Sequence, residues 1–184
     1  MNFKTQKNNK GFTLLETLAS LTVLIFGILG PLSLAFYSIR SASVSENYLT
    51  AFYLAQEAME YVKNRRDSNV LKEETNWLRY MAPSGGGDSL CRDDRGCDID
   101  VTLPDRDPDS IRQCHPVNDC EKLRHDSVSG LYGYNPGDLE TAFIRKLKLA
   151  RISDYEEKIK ITVSWQDKFG AKSFTFEENI FDWQ

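Results

Sequence analysis

Between Lys10 and Arg40 the chain carries one charged side chain, Glu16, and from Thr17 to Ile39 it carries none for 23 residues. A helix of that length, at about 1.5 Å per residue, covers the roughly 30 Å hydrocarbon core of a bilayer. The stretch therefore reads as a membrane-spanning helix, with Gly27, Gly30 and Pro31 inside it. A proline removes one backbone donor and crowds the preceding turn, so a bend or local melting is expected near Gly30-Pro31. A carboxylate at the lip of such a segment costs about 2.5–3.5 kcal/mol if it reaches bilayer depth. Glu16 thus calls for a compensating partner.

Residues 1–11 hold Lys4, Lys7 and Lys10 and no acid, a basic leader that the positive-inside rule keeps on the cytoplasmic side. A secretory signal peptide has a shorter apolar core, of about 7–15 residues, and a small-residue cleavage site after it. Ser41-Ala42-Ser43 offers such a site, but the core is too long and Arg40 adjoins it. A plain single-pass anchor leaves Glu16 unexplained.

A short basic leader ending in Gly11, then Phe12-Thr13-Leu14-Leu15-Glu16 and a long apolar helix, resembles the class III signal of type IV pilins and of the pseudopilins of type II secretion. That resemblance implies cleavage between Gly11 and Phe12 by a prepilin peptidase on the cytoplasmic face, N-methylation of Phe12, and retention of the helix. It also implies a role for Glu16, the fifth residue of the mature chain, in assembly. A carboxylate buried in a filament core is tolerable when a cation compensates it, and the Phe12 amine of an adjacent subunit is suited to that and to fixing the axial register. The run from Ala55 to Val62, followed by Asn64-Arg65-Arg66-Asp67-Ser68-Asn69, is similar to the same region of PilV-type minor pilins and minor pseudopilins.

Beyond Arg40, Val44, Tyr48, Phe52, Ala55, Met59 and Val62 recur every three or four residues, while Glu46, Gln56, Glu57, Glu60 and Lys63 fall elsewhere. This pattern continues the helix as an amphipathic one that lays a stripe on a domain. Arg65 and Arg66 suit its carboxyl terminus, and Asp67-Ser68-Asn69 its end. From Phe12 to Arg66 it would run about 80 Å. The expected division is a leader at 1–11, a transmembrane or filament-core helix at 12–39, an amphipathic continuation at 40–66, and a globular domain at 67–184.

Residues 70–140 read as loop-rich, with one short strand expected at Asp98–Leu103. Ser84-Gly85-Gly86-Gly87-Asp88-Ser89 lacks the lysine and hydroxyl of a phosphate loop and reads as a turn. Cys91, Cys97, Cys114 and Cys120 fall in this region, and an export signal makes disulfides the leading interpretation. Pairing 91 with 97 and 114 with 120 is one of three possible connectivities. A zinc site using these cysteines with His115 or His125 lacks the usual short ligand spacing. Asp105-Arg106-Asp107-Pro108-Asp109 starts like a calcium loop, but Pro116 stands where the twelfth-position glutamate belongs, so no metal or other cofactor is assigned.

The last 44 residues read as an antiparallel meander. Phe143, Arg145, Leu147 and Leu149 alternate with Ile144, Lys146 and Lys148, and Ile159, Ile161, Val163 and Trp165 alternate with Lys160, Thr162 and Ser164. A turn at Gln166–Gly170, with a positive φ at Gly170, leads to a third strand at Lys172–Phe176. The helical stripe is the natural cover for one sheet face, which gives an α+β class. The order of a long helix followed by a small antiparallel sheet also resembles the pilin fold.

No nucleophile motif accompanies the two histidines, so no enzyme is expected. Without its three leader lysines the chain has 20 basic against 27 acidic residues, about −7, which disfavours a polyanion partner. Arg145, Lys146, Lys148 and Arg151 are the one basic cluster through which DNA contact is conceivable. By the resemblance, the chain is a structural minor pilin or pseudopilin subunit of the bacterial inner membrane, with its amino terminus cytoplasmic. It would then join a cell-surface pilus or periplasmic pseudopilus, with other pilin-like subunits and the prepilin peptidase as partners. The rivals are a tip adhesin or DNA-capturing subunit, and a membrane-tethered sensor or enzyme.

Overall fold

The computed structural model describes residues 11, 13–74, 76–79, 81, 90–104, 107–115, 119–168 and 170–182. The leader lysines, Phe12, the Ser84–Ser89 run, Asp105, Arg106, Pro116, Phe169 and Trp183-Gln184 lie outside the described residues. Two compact units divide the chain, Met1–Glu46 and Asn47–Gln184, and helix α1 (Leu14–Leu71, 58 residues) begins in the first and ends in the second.

In the first unit every large apolar side chain from Leu14 to Ile39 stands exposed, none less than 47%. A helix that is apolar around its whole circumference needs a non-aqueous surrounding, and this one is long and apolar enough to cross a membrane. Its hydroxyls are turned back onto the helix: Thr17 donates to Leu14 O at 2.9 Å, Ser20 to Glu16 O at 2.8 Å and Ser33 to Leu29 O at 2.8 Å. The polar groups are thereby satisfied within the helix. Helical structure runs unbroken across Gly30-Pro31, so the expected melting does not occur. Gly30 stands directly before the proline and, having no Cβ, avoids the clash with the proline ring that disfavours helix at that position.

In the second unit α1 continues to Leu71, past the expected end at 67–69. Asn69 does not terminate it; its side-chain amide is buried and donates to Trp77 O at 3.0 Å and Arg79 O at 2.7 Å. Glu73, at φ 54°, closes the helix instead. Glu73 N–H reaches Val70 O at 3.0 Å and Glu74 N–H reaches Asn69 O at 3.1 Å, the paired bonds of a Schellman motif. The buried stripe is Ala51, Leu54, Ala55, Ala58, Met59, Val62, Arg65 and Asn69. Ala55, Met59 and Val62 of the expected stripe are buried in it, whereas Tyr48 and Phe52, nearer its start, remain 40% and 42% exposed. The buried positions include three alanines, and the two rings lie at the margin, Tyr48 edge-on to Trp165 at 5.0 Å and Phe52 to Phe174 at 5.8 Å.

Among the described residues, seven strands form one antiparallel sheet: β1 (Cys97–Ile99), β2 (Ile111–Gln113), β3 (Lys122–His125), β4 (Tyr132–Gly133), β5 (Leu139–Ser153), β6 (Glu156–Asp167) and β7 (Gly170–Phe181). The expected meander is present as β5–β6–β7, each strand longer than the sequence suggests. The connection after β6 pairs Asp167 with Gly170, and Gly170 has φ +117°. One edge of β5 carries β6; the other is shared by β3 and β1, and β2 and β4 extend these outward. The strand expected at 98–103 ends at Ile99. Asp100 turns the chain there, its Oδ1 accepting from Thr102 N–H at 3.0 Å and from the Thr102 hydroxyl at 2.6 Å.

Alternation along β5 and β6 places Phe143, Leu147, Leu149, Ile159, Ile161, Val163 and Trp165 in the core beneath the helical stripe. Arg145 shares that inward face and is 1% exposed. Its guanidinium donates to Leu54 O at 3.1 Å, Glu57 Oε2 at 2.6 Å and Ile99 O at 2.7 Å, tying α1, β5 and β1 together. Arg65 is buried as well, rather than placed at a helix end, and shares Ser110 Oγ and the Tyr61 hydroxyl. Arg145→Ala is expected to destabilise the second unit by about 2–4 kcal/mol in urea denaturation, because the half-open Glu57 carboxylate and the Ile99 carbonyl lose their guanidinium donor and the Leu54 carbonyl keeps only its helical one. Arg145→Lys should recover little of this, since a single ammonium cannot serve three diverging acceptors in the guanidinium's planar geometry.

Candidate functional site

The residues singled out at the amino-terminal end sit in the first turn of α1. Thr13 is the N-cap: its carbonyl accepts from Glu16 and Thr17 N–H at 3.1 Å each, and its hydroxyl from Glu16 N–H at 3.3 Å. Thr13-Leu14-Leu15-Glu16 therefore has the T-x-x-E spacing of a capping box, a signal present in the sequence that the charge argument passed over. Glu16 occupies the third helical position, where the helix dipole favours an anion. It is exposed and forms no ion pair among the described residues, so the turn presents a carboxylate at the start of an apolar rod. Gly11 is exposed with open space around it. Phe12 is outside the described residues, and so is its expected pairing with Glu16.

All four cysteines are paired, Cys91 with Cys97 and Cys114 with Cys120. This is the local connectivity among the three open to the sequence. Cys114, Cys120 and Asp119 gather within 4.8 Å, yet both sulfurs are committed to a disulfide and neither is available as a thiolate ligand. The histidines have other roles: His115 bridges Asp119 through the backbone, and His125 packs on Tyr132 with ring centroids 4.9 Å apart. Asp107 caps a short 3₁₀ turn (Pro108–Ser110), its Oδ1 accepting from Asp109 N–H at 2.9 Å, which gives the described part of the acidic run a structural task.

Beside the second disulfide lies a cavity of about 280 Å³ lined in part by Arg95, Asp98, Arg112, His115, Asp119 and Glu121. Asp98, on β1, is 4% exposed, and its carboxylate faces Arg112 of β2 at 3.4 Å. Burial pushes its pKa up to about 6, against a smaller lowering by Arg112 and a further raising by Glu121. Arg112 in turn lies over the Tyr134 ring, 4.6 Å from its centroid, and 3.6 Å from Glu121. Burial likewise raises the Tyr134 hydroxyl. Two arginines interleaved with three carboxylates leave no single-sign ligand to be preferred, so this cluster is a charge network within the fold.

The basic cluster expected from sequence does not form one surface. Arg145 points into the core, as described, and Arg151 pairs with Asp154. Lys146 and Lys148 do share the outer face of the sheet, joined by Lys158 and Lys160 of β6. Lys146 is paired with Asp119, and Lys158 and Lys160 both reach Glu177, at 2.6 and 3.0 Å. Three of the four lysines are thus paired, two of them sharing one carboxylate, and the face stays modestly basic.

Comparisons with family models, with curated proteins and with solved structures find no match for this chain.

The Asp98 cluster makes stability depend on pH. The folded carboxyl holds its proton to about pH 6, whereas the free side chain releases it near 3.8, so the folded state binds more protons between these values. Its contribution to stability therefore rises as pH falls from about 6 toward 4, and above pH 6 the fold bears the full cost of the buried charge. Asp98→Asn is expected to raise the melting temperature at pH 7 and to flatten this window. Parallel curves for variant and parent across pH 4–7 would count against the assignment.

Proposed function

We propose that this chain is a minor pilin or minor pseudopilin, a structural subunit that is cut after Gly11, methylated at Phe12 and packed through α1 into a type IV pilus or type II secretion pseudopilus. The observation that carries the reading is the first turn of α1: a capped, exposed Glu16 at the head of a helix whose apolar side chains from Leu14 to Ile39 are all exposed. Such a helix is suited to exchange lipid for the helices of neighbouring subunits. Two local disulfides favour an oxidising compartment for the second unit, which agrees with export across the cytoplasmic membrane. An antiparallel sheet covered by the amphipathic half of the same helix fits a pilin-like subunit. In this mechanism the Glu16 carboxylate meets the Phe12 amine of a neighbour in the filament core, and the pair sets the stagger between subunits. Capture of DNA through Arg145 has no support, because that side chain lies in the core.

Mass spectrometry of the native amino-terminal peptide tests the processing. The expected product begins at N-methylated Phe12; one beginning at Met1, or one lacking residues 12–39, overturns the reading. Glu16→Ala tests the mechanism and should still insert in membranes. Its incorporation into filaments is expected to fall by about two orders of magnitude, the scale of one uncompensated buried charge. Thr13→Ala, which removes only the cap, should cost about 1 kcal/mol of helix-end stability and leave incorporation near the parent's level.

A further inference from the structure

Strand β7 hydrogen-bonds β6 along its whole length and, among the described residues, pairs with no other strand. Its twelve residues contain no proline and no register shift, so it lacks two of the usual protections of an exposed edge. Asp167 and Gly170 face each other across a two-residue connection, which makes them a hydrogen-bonded pair. The alternation of an antiparallel ladder then aims the backbone groups of Gly170, Lys172, Phe174, Phe176, Glu178 and Ile180 at β6. Those of Ala171, Ser173, Thr175, Glu177 and Asn179 face the open side. The Thr162 and Thr175 hydroxyls, 3.3 Å apart across β6 and β7, agree with this phase, since side chains lie closer in a non-hydrogen-bonded pair.

We propose that β7 is a docking edge for a second copy of this chain, the two β7 strands pairing antiparallel about a two-fold axis at Thr175. Hydrogen bonding requires odd-numbered residues to face odd-numbered ones, which restricts the axis to whole residue positions. With the axis at Thr175, Ser173 faces Glu177, Phe174 faces Phe176, and Lys172 faces Glu178, each twice. Moving the axis to Phe174 sets Lys172 against Phe176, and moving it to Phe176 sets Phe174 against Glu178. Among these neighbouring registers, only the one about Thr175 matches charge with charge and ring with ring. Lys172 and Glu178, on the helix-facing side of the strand, oppose pairing with an apolar strand of another protein and favour this one. Glu178 already lies 3.0 Å from Lys63, and the partner's Lys172 would give the carboxylate a second cation. A two-fold contact is closed and adds one copy without propagating. It uses the second unit alone and so stands apart from the pilin-like reading.

Cross-linking of the full chain in membranes decides the matter. The native cysteines are all bonded, so Thr175→Cys introduces a lone thiol that faces its own copy across the axis at about 5.5 Å between Cα atoms, within disulfide range. Copper-phenanthroline oxidation should convert it to a reducible homodimer. Ser173→Cys, about 14 Å from its copy, should stay monomeric. Adding Lys172→Glu to Thr175→Cys should bring the dimer down to the Ser173→Cys background, and Lys172→Glu with Glu178→Lys should restore it. Absence of a dimer at 175, equal cross-linking at 173 and 175, or capture of a different protein would overturn the proposal.

Discussion

One buried guanidinium joins the parts of the second unit. Arg145 reaches a helix carbonyl, a helix carboxylate and the last carbonyl of β1, so three segments far apart in sequence share one side chain. A charge in that position is costly, and acceptors at both terminal nitrogens offset the cost, although the buried Nε meets no acceptor among the described residues. It also fixes how α1 is turned about its own axis, because Leu54 O and Glu57 must face the sheet together. Apolar packing then fills the space around this anchor: Leu54, Met59 and Val62 contribute from the helix, and Ile159, Ile161 and Val163 from the sheet.

The long elements were legible in the sequence because their periodicity is long. β5 and β6 alternate cleanly over seven positions, and that alternation already grouped Arg145 with Phe143 and Leu147. Reading it also as part of a basic cluster gave weight to neighbours in sequence over the pleat, which sends adjacent residues to opposite faces. Strands β1 to β4 span only two to four residues and carry no periodic signal, so the region from 70 to 140 read as loop apart from one short strand. The helical stripe was legible at Ala55, Met59 and Val62 and less so at its start. Large aromatic residues such as Tyr48 and Phe52 dominate a hydrophobicity pattern, whereas the small, fully buried Ala51 and Ala58 leave little mark on it.

At the amino-terminal end the sequence spoke more plainly than the fold does. The uncharged run and its single glutamate are visible by inspection, and the structure adds the cap that holds Glu16 in the first turn. Glu16 therefore has a local reason for its place as well as a proposed intersubunit one. The two are compatible, since a carboxylate at the third helical position remains free to meet a cation from outside. The cysteine connectivity, by contrast, became legible only when β1 and the turns around it were in view.

Both cystines close rings between residues six apart in sequence. Rings that small remove little entropy from the unfolded chain compared with a bridge between distant segments, so they act as clips on single loops. Joining the far-flung strands is left to hydrogen bonding and apolar packing. The sheet can therefore take shape before either native bridge closes, whereas any mispairing would have to join the two cystine loops to each other. For a subunit exported as proposed, the order of folding and oxidation would then matter less than for a scaffold held together by long-range crosslinks.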